Sequence, residues 1–309
     1  MKRNLSVMTL RVGIWAGLTI LAMSAAPAQS LKNITSPSPL VYSPDVIVQT
    51  TGSIRVSHEN YLGPFCVVLT QISLTPSTVA PAEGLTYGLY KPDISPVYQL
   101  SLTGSPSSDN EVLSGTFDSV NIKKPFMSLG FALIVSPSSM PAPGTYVATI
   151  RADLYASAFP VSGSPVATDT LIVSVTVPSL TDVSVVPTGG SFSVGSTSAD
   201  LSFGTINAGA TRGVDIRVRS NVRYSVSLVS ANGSALANAL DGSLIPYTLS
   251  ADGMAVSLPK GIASVITLSA APTYGNPSVS GIAVTINQFS DFPVEGTYTD
   301  MVTVNVSAP

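Results

Sequence analysis

One cysteine, one histidine and one tryptophan are all that this chain of 309 residues holds of those types, and charged residues make up only 10% of it. With Cys66 alone, no internal disulfide can form. The lone His58 stands beside Glu59 without the cysteine or histidine partners of a structural zinc site, and it reads as a surface residue. No serine or cysteine lies in a recognisable nucleophile motif, and neither a phosphate-binding glycine loop nor calcium-loop spacing is present. Glu83, Asp93, Glu111, Asp118 and Asp153 are scattered, with no spacing that pairs them for acid–base work. The chain therefore reads as a non-enzyme with no cofactor and no metal.

Long apolar runs are also scarce. The only one extends from Val12 to Met23, preceded by Lys2, Arg3 and Arg11 and followed by Ala26, Pro27 and Ala28. That is the tripartite form of a secretory signal, too short for a lasting membrane span. Cleavage after Ala28 is favoured, because cleavage after Ala26 would set Pro27 next to the scissile bond, so residues 1–28 are read as a signal peptide. Its removal takes the only tryptophan, Trp15, and leaves 11 basic against 17 acidic residues. Nothing basic enough remains to track a phosphate backbone, which argues against a nucleic-acid partner.

What is abundant is Ser, Thr, Gly, Pro and alternating Val, the composition of all-β structure. Short strands are expected at 46–56, 65–74, 85–90, 97–102, 111–120, 128–135, 145–155 and 170–177, separated by turn-rich stretches. The spacing predicts an immunoglobulin-like sandwich over 29–178. Residues 29–44 carry Pro37, Pro39 and Pro44, which cannot supply ladder N–H groups, so this arm is not expected to donate a strand to a neighbour. Cys66 shares an alternating face with Val68, Thr70, Ile72 and Leu74 and reads as a small core residue rather than a redox thiol. Residues 179–190, with Pro187, Gly189 and Gly190, form the expected linker.

A second domain is expected over 191–309, with strands near 199–203, 213–219, 224–229, 245–251, 264–269, 281–286 and 297–306. Its last strand begins Gly296, Thr297, Tyr298, and the first domain holds the same punctuation at Gly144, Thr145, Tyr146. After the first copy, Leu171, Val173, Val175 and Val177 supply an antiparallel neighbour. After the second, only three residues follow Val306, fewer than a strand and its turn require. The fold expected is all-β: two immunoglobulin-like β-sandwich domains, the C-terminal one incomplete and lacking its last strand. Tyr146 and Tyr298 are expected to brace strand starts, as the tyrosine near strand F does in immunoglobulin domains.

The blocks Asp200-Leu201-Ser202-Phe203-Gly204-Thr205, Gly209-Ala210-Thr211-Arg212, Arg217-Val218-Arg219-Ser220-Asn221, Tyr224-Ser225-Val226-Ser227-Leu228, Ile245-Pro246-Tyr247-Thr248-Leu249 and Gly296-Thr297-Tyr298-Thr299-Asp300 occur in order. In them the second domain resembles the spore coat protein U-like pilin family, which includes subunits of archaic chaperone-usher pili. It departs from many such pilins in lacking a disulfide. With a leader and a divergent first domain, the whole chain looks like a two-domain tip adhesin of such a pilus. The resemblance implies a groove filled by a neighbour's donor strand, with Val302, Val304 and Val306 on one wall and Leu201 and Phe203 on the other. It further implies a periplasmic pilus chaperone, an outer-membrane usher and an adjacent pilin subunit as partners. The implied location is extracellular, at the pilus tip, with roles in attachment and biofilm formation. Two alternatives stay open: a shaft or coat structural subunit, and a secreted β-sandwich carbohydrate-binding protein.

An adhesin needs a surface that meets its target, abiotic or host. By immunoglobulin topology the loops at 75–84, 121–127 and 157–168 are expected at the pole away from the linker. Val79, Pro81, Phe126, Met127, Phe159, Pro160 and Val161 would place an exposed apolar patch there. In the alternative arrangement Phe126 and Phe159 fold back and cap the core.

Overall fold

A computed structural model describes residues 29–59, 61–75, 85–91, 99–118, 126–137, 140–289 and 293–308. The expected leader, Val79 and Pro81 lie outside them. The described chain is almost wholly β, in two sandwiches with separate cores.

The first sandwich contains β1 (Gln29–Thr35), β2 (Leu40–Val41), β3 (Val48–His58), β4 (Gly63–Thr75), β5 (Tyr87–Tyr90), β6 (Leu113–Phe117), β7 (Phe126–Val135), β8 (Gly144–Tyr155) and β9 (Ala167–Val177). One sheet runs β1-β3-β7-β5 and the other β2-β9-β8-β4-β6. Alternation sets the faces: Ile54 and Val56 of β3, Phe131 and Leu133 of β7, and Ile150, Ala152 and Leu154 of β8 share one buried core. Gly52 lies opposite Phe131 on the neighbouring strand, and a Cβ there would stand 2.4 Å from the phenyl ring. Glycine lets that ring lie over the backbone and fill the centre of the sandwich.

Several expectations change. The proline-bearing arm is not idle: β1 pairs with β3, and β2 pairs in parallel with β9, so the prolines punctuate two short strands instead of preventing them. The strand expected at 111–120 is shorter, a single 3-10 turn at Asp109–Glu111 giving way to β6. Of the strand expected at 97–102, the described part holds only an isolated bridge from Gln99 to Tyr90.

The second sandwich contains β10 (Thr181–Pro187), β11 (Thr211–Ser220), β12 (Tyr224–Ser230), β13 (Ala235–Asn238), β14 (Leu244–Ala251), β15 (Met254–Val256), β16 (Ser264–Ala270), β17 (Ser278–Ile286), β18 (Tyr298–Thr299) and β19 (Val302–Ser307). A large sheet runs β10-β11-β17-β14-β13-β18, with β15 on β14, and faces a three-stranded sheet, β16-β12-β19. Most of the segment read as a linker is thus a strand, β10, paired along its length with β11. A fully buried Ser184, whose hydroxyl accepts from the Ser193 N–H at 3.2 Å, interrupts the apolar alternation that would have marked it.

Only 178–180 therefore separate β9 from β10, and Asn221 fixes that passage. Its fully buried side chain accepts from the Leu180 N–H at 2.7 Å and donates to the carbonyls of Pro141 and Pro178, each at 2.9 Å. Met140 N–H donates to the Tyr274 carbonyl, and Arg219, itself paired with Asp182 within the second sandwich, pairs with Asp45 of the first, so two further contacts tie the sandwiches together. Asn221→Ala would orphan one N–H and two carbonyls in a buried place, a loss on the order of 3 kcal/mol. Urea unfolding of the full chain is expected to lose its shared transition and show two separate ones; a single unshifted transition would show that the passage needs no clamp.

Candidate functional site

The two Gly-Thr-Tyr copies occupy equivalent places. Gly144 and Gly296 have φ values of 147° and 157°, backbone that side-chain-bearing residues rarely adopt, and they turn the chain into the strand. Tyr146 donates its hydroxyl to the Ala142 carbonyl and Tyr298 to the Val294 carbonyl, both at 2.9 Å and both four residues upstream. Both tyrosines thus brace a strand start.

Beyond that point the copies differ. In the first sandwich β8 is bonded on both edges, to β4 and to β9. Leu171, Val173, Val175 and Val177 of β9 are at most 2% exposed, and the inward residues of β8 are buried beside them. In the second sandwich β19 is bonded only to β12, and among the described residues no strand lies on its other edge. Val302, Val304 and Val306 pack on the second core yet remain half-buried. Leu201, Phe203 and Ile206 are also half-buried against that core. The strand expected at 199–203 does not form: its residues alternate like a strand but have no ladder partner. All five residues named for the groove thus pack, partly exposed, against the second core, as does Ile206.

The strand that forms one wall is pinned by Asp300, the one polar residue in its inward series. The Asp300 carboxylate accepts from the hydroxyls of Ser230 and Tyr247, both at 2.6 Å, and from the N–H groups of Asn232 and Met301 at 3.0 and 2.8 Å. This cluster separates β18, on the large sheet, from β19, on the small one. Burial, reinforced by the hydrogen bond to Asp300, pushes the Tyr247 phenol well above its ordinary range, so it donates at every physiological pH.

The pole of the first sandwich away from the second holds the expected Phe126, Met127, Phe159, Pro160 and Val161. Val177 pairs with Gly144 at the end that leads into β10, and Thr75 pairs with Val147 at that same end. Thr75 thus ends β4 at the near pole, and Val79 and Pro81 lie outside the described residues. The distal pole gathers the turn after β3, the start of β7 and the segment 156–166. There Leu62 is 55%, Phe126 37% and Val166 49% exposed. Tyr61 links two of these segments by donating to the Ala156 carbonyl at 3.2 Å. Met127 points inward against the first core, whereas Phe159 and Val161 fold back over Cys66, Val68 and Val112 and Pro160 stays exposed. For Phe159 the capping arrangement is the one the structure adopts; for Phe126 it is not.

Cys66 is fully buried, but in this satellite cluster on the outer face of β4; the main core takes Phe65, Val67 and Leu69 instead. Burial, with a smaller effect of the Asp109 charge, raises its thiol to about 11. His58 is half-buried rather than a surface residue, its ring 4.1 Å from that of Phe117. Among the described residues no three His, Cys, Asp or Glu side chains are grouped to hold a metal ion.

No protein-family model matches the chain, and no curated protein matches it. Solved structures give distant likenesses. The complex of CsuC with the tip adhesion subunit CsuE, from archaic chaperone-usher Csu pili of Acinetobacter baumannii, contains a chain 15% identical, with a TM-score of 0.45, covering 89% of this chain and 99% of that one. The CupB6 tip adhesin from Pseudomonas aeruginosa is 9% identical with a TM-score of 0.33, over 90% and 92% of the two chains. CfaE, the adhesive subunit of CFA/I fimbria of enterotoxigenic Escherichia coli, is 10% identical with a TM-score of 0.29, over 92% and 87%. Likenesses this remote carry no argument about function.

Asp300→Ala removes the acceptor shared by two hydroxyls and two N–H groups and is expected to destabilise the second sandwich by on the order of 3 kcal/mol, read by urea unfolding. A change within experimental error would mean that water replaces the carboxylate. Iodoacetamide at pH 8 is expected to label Cys66 about 100-fold more slowly in the folded chain than in urea, since the reactive thiolate is scarce and covered. Equal rates would show the satellite cluster to be open.

Proposed function

We propose that the chain is an adhesin subunit of a chaperone-usher pilus, joined to the fibre by a donor strand that a neighbouring pilin subunit lays along the free edge of β19. The observation that carries this reading is the contrast between β8, covered on both edges, and β19, covered on one. The first sandwich serves as an internal reference for the filled state: β9 lies antiparallel to β8 and parallel to β2, with Leu171, Val173, Val175 and Val177 inward. The missing strand of the second sandwich would run antiparallel to β19, beside 199–206, with large aliphatic residues at alternate positions. Burying the exposed parts of five or six half-covered apolar side chains contributes on the order of 5 kcal/mol, at about 1.5–3 kcal/mol for each fully buried side chain. That is comparable with the whole stability of many domains, about 5–15 kcal/mol. Before assembly the same edge would be held by a periplasmic chaperone and handed over at an outer-membrane usher.

A terminal place in the fibre is supported by the other end of the chain. β1 is committed to β3 of its own sandwich, so the arm that a shaft subunit would lend to its neighbour is already paired. The distal pole then faces outward, and Leu62, Phe126 and Val166 form the apolar surface through which the subunit would attach to an abiotic or host surface and support biofilm formation.

A donor segment from the neighbouring pilin, fused after Pro309 through a flexible linker, is expected to raise the melting temperature of the second sandwich by more than about 10 °C. Val304→Asp in the same fusion should abolish the gain. A second sandwich indifferent to every such segment would sink the reading in favour of an independent secreted binding protein. Leu62→Ser with Phe126→Ser is expected to lower retention on polystyrene several-fold without changing that melting temperature; unchanged retention would remove the apolar pole from the proposal.

A further inference from the structure

β1 and β3 bring two cations together at the distal pole. Lys32 lies directly opposite Arg55 in the antiparallel ladder, a placement that is unfavourable for like charges unless something offsets it. Among the described residues neither makes an ion pair; the pairs present engage Arg151, Arg217 and Arg219. The mature chain as read from the sequence is acidic, so an unneutralised basic pair is an exception on its surface.

The pair borders a shallow recess lined by Lys32, Asn33, Arg55, Ser57, His58, Glu59 and Phe126. The Arg55 guanidinium carbon lies 3.8 Å from the centre of the Phe126 ring. Stacking of this kind fixes the plane of a guanidinium and leaves its edge free for a bidentate anion. Ser57 and Ser30 share a hydrogen bond at 2.8 Å and keep further donor and acceptor capacity. Asn33 has a φ of 52°, left-handed backbone, within a register shift between Lys32 and Thr35. Bulges of this sort re-aim side chains at sheet edges and next to sites. Both ring nitrogens of His58, on the wall of the recess, lack hydrogen-bond partners, as do both amide atoms of its cross-strand neighbour Gln29, which is 6% exposed. Glu59 is the one carboxylate on the rim, and it is exposed.

We propose that this recess is a binding subsite for a carboxylate-bearing sugar, with the acid group on Arg55 and Lys32 and the ring hydroxyls on Ser57 and Asn33. A hydroxyl-rich ring with one acid group suits a shallow site that has one aromatic wall, two cations and several small polar groups. The inference rests on the adhesin reading only for the outward orientation of this pole, and it assigns that pole a chemical class of ligand beside the apolar patch.

The test uses the full mature chain, with polygalacturonate as the acidic probe and dextran of matched length as the neutral one. Binding to polygalacturonate is expected, weakening as salt is raised, with no binding to dextran. Lys32→Ala with Arg55→Ala should lower the affinity at least 10-fold while leaving the unfolding midpoints in place, and Arg55→Lys should recover only part of the loss. Absence of polygalacturonate binding, equal binding of dextran, or full affinity in the double variant would overturn the proposal. Polystyrene retention measured on the same preparations separates the outcomes: retention without acidic-sugar binding removes this subsite alone, whereas loss of retention in the natural chain bears on the adhesin reading.

Discussion

A β-strand with one apolar face has two needs that must be met together: its edge requires a hydrogen-bonding neighbour, and its inward side chains require a lid. In the first sandwich β9 meets both for β8. In the second, no described strand is hydrogen-bonded to the other edge of β19 and its valines are only partly covered. The segment 199–206 stays without a ladder, and the second core remains open along one seam. An exposed edge of this kind is a hazard that proteins ordinarily shield with charge, proline or a bulge. The outward positions of β19 are Thr303, Asn305 and Ser307 instead, which leaves the edge competent to pair.

An open seam is useful only if its walls hold their shape. The Asp300 cluster does this on one side, tying β19 to Ser230 at the end of β12 and to Tyr247 in the facing sheet. Since those hydrogen bonds already order the wall, an incoming strand has less disorder to remove, and more of its contact energy is retained as affinity. The segment 199–206 has no such pinning by regular hydrogen bonds. Docking would therefore order one side against a side that is already set.

How far the sequence disclosed this depended on whether the information was local. Period-two alternation marked the strands that carry the main cores, and the repeated Gly-Thr-Tyr punctuation marked the two equivalent strand starts. β10 escaped because its inward Ser184 breaks the pattern, and β13 and β15 because three or four residues show no period. The segment 199–203 was legible as strand-forming by its alternation, which the structure leaves without a ladder partner among the described residues. Loop polarity was not legible, because it depends on counting every strand and on the register that sets Thr75 beside Val147. Exposed Leu62 lies in a short turn whose position only the register reveals, and the Lys32–Arg55 pair depends on a register across more than twenty residues of chain.

The two seams stand in series. β9, which fills the first, runs through 178–180 directly into β10, which opens the second sandwich, and Asn221 clamps the passage with hydrogen bonds to both sides of it. A pull applied at the distal pole would therefore pass along β8 and β9 parallel to their length, where eleven paired residues share it. It would leave through the edge of β19 in the same manner if a strand lies there, each hydrogen bond loaded in shear with its neighbours instead of one after another.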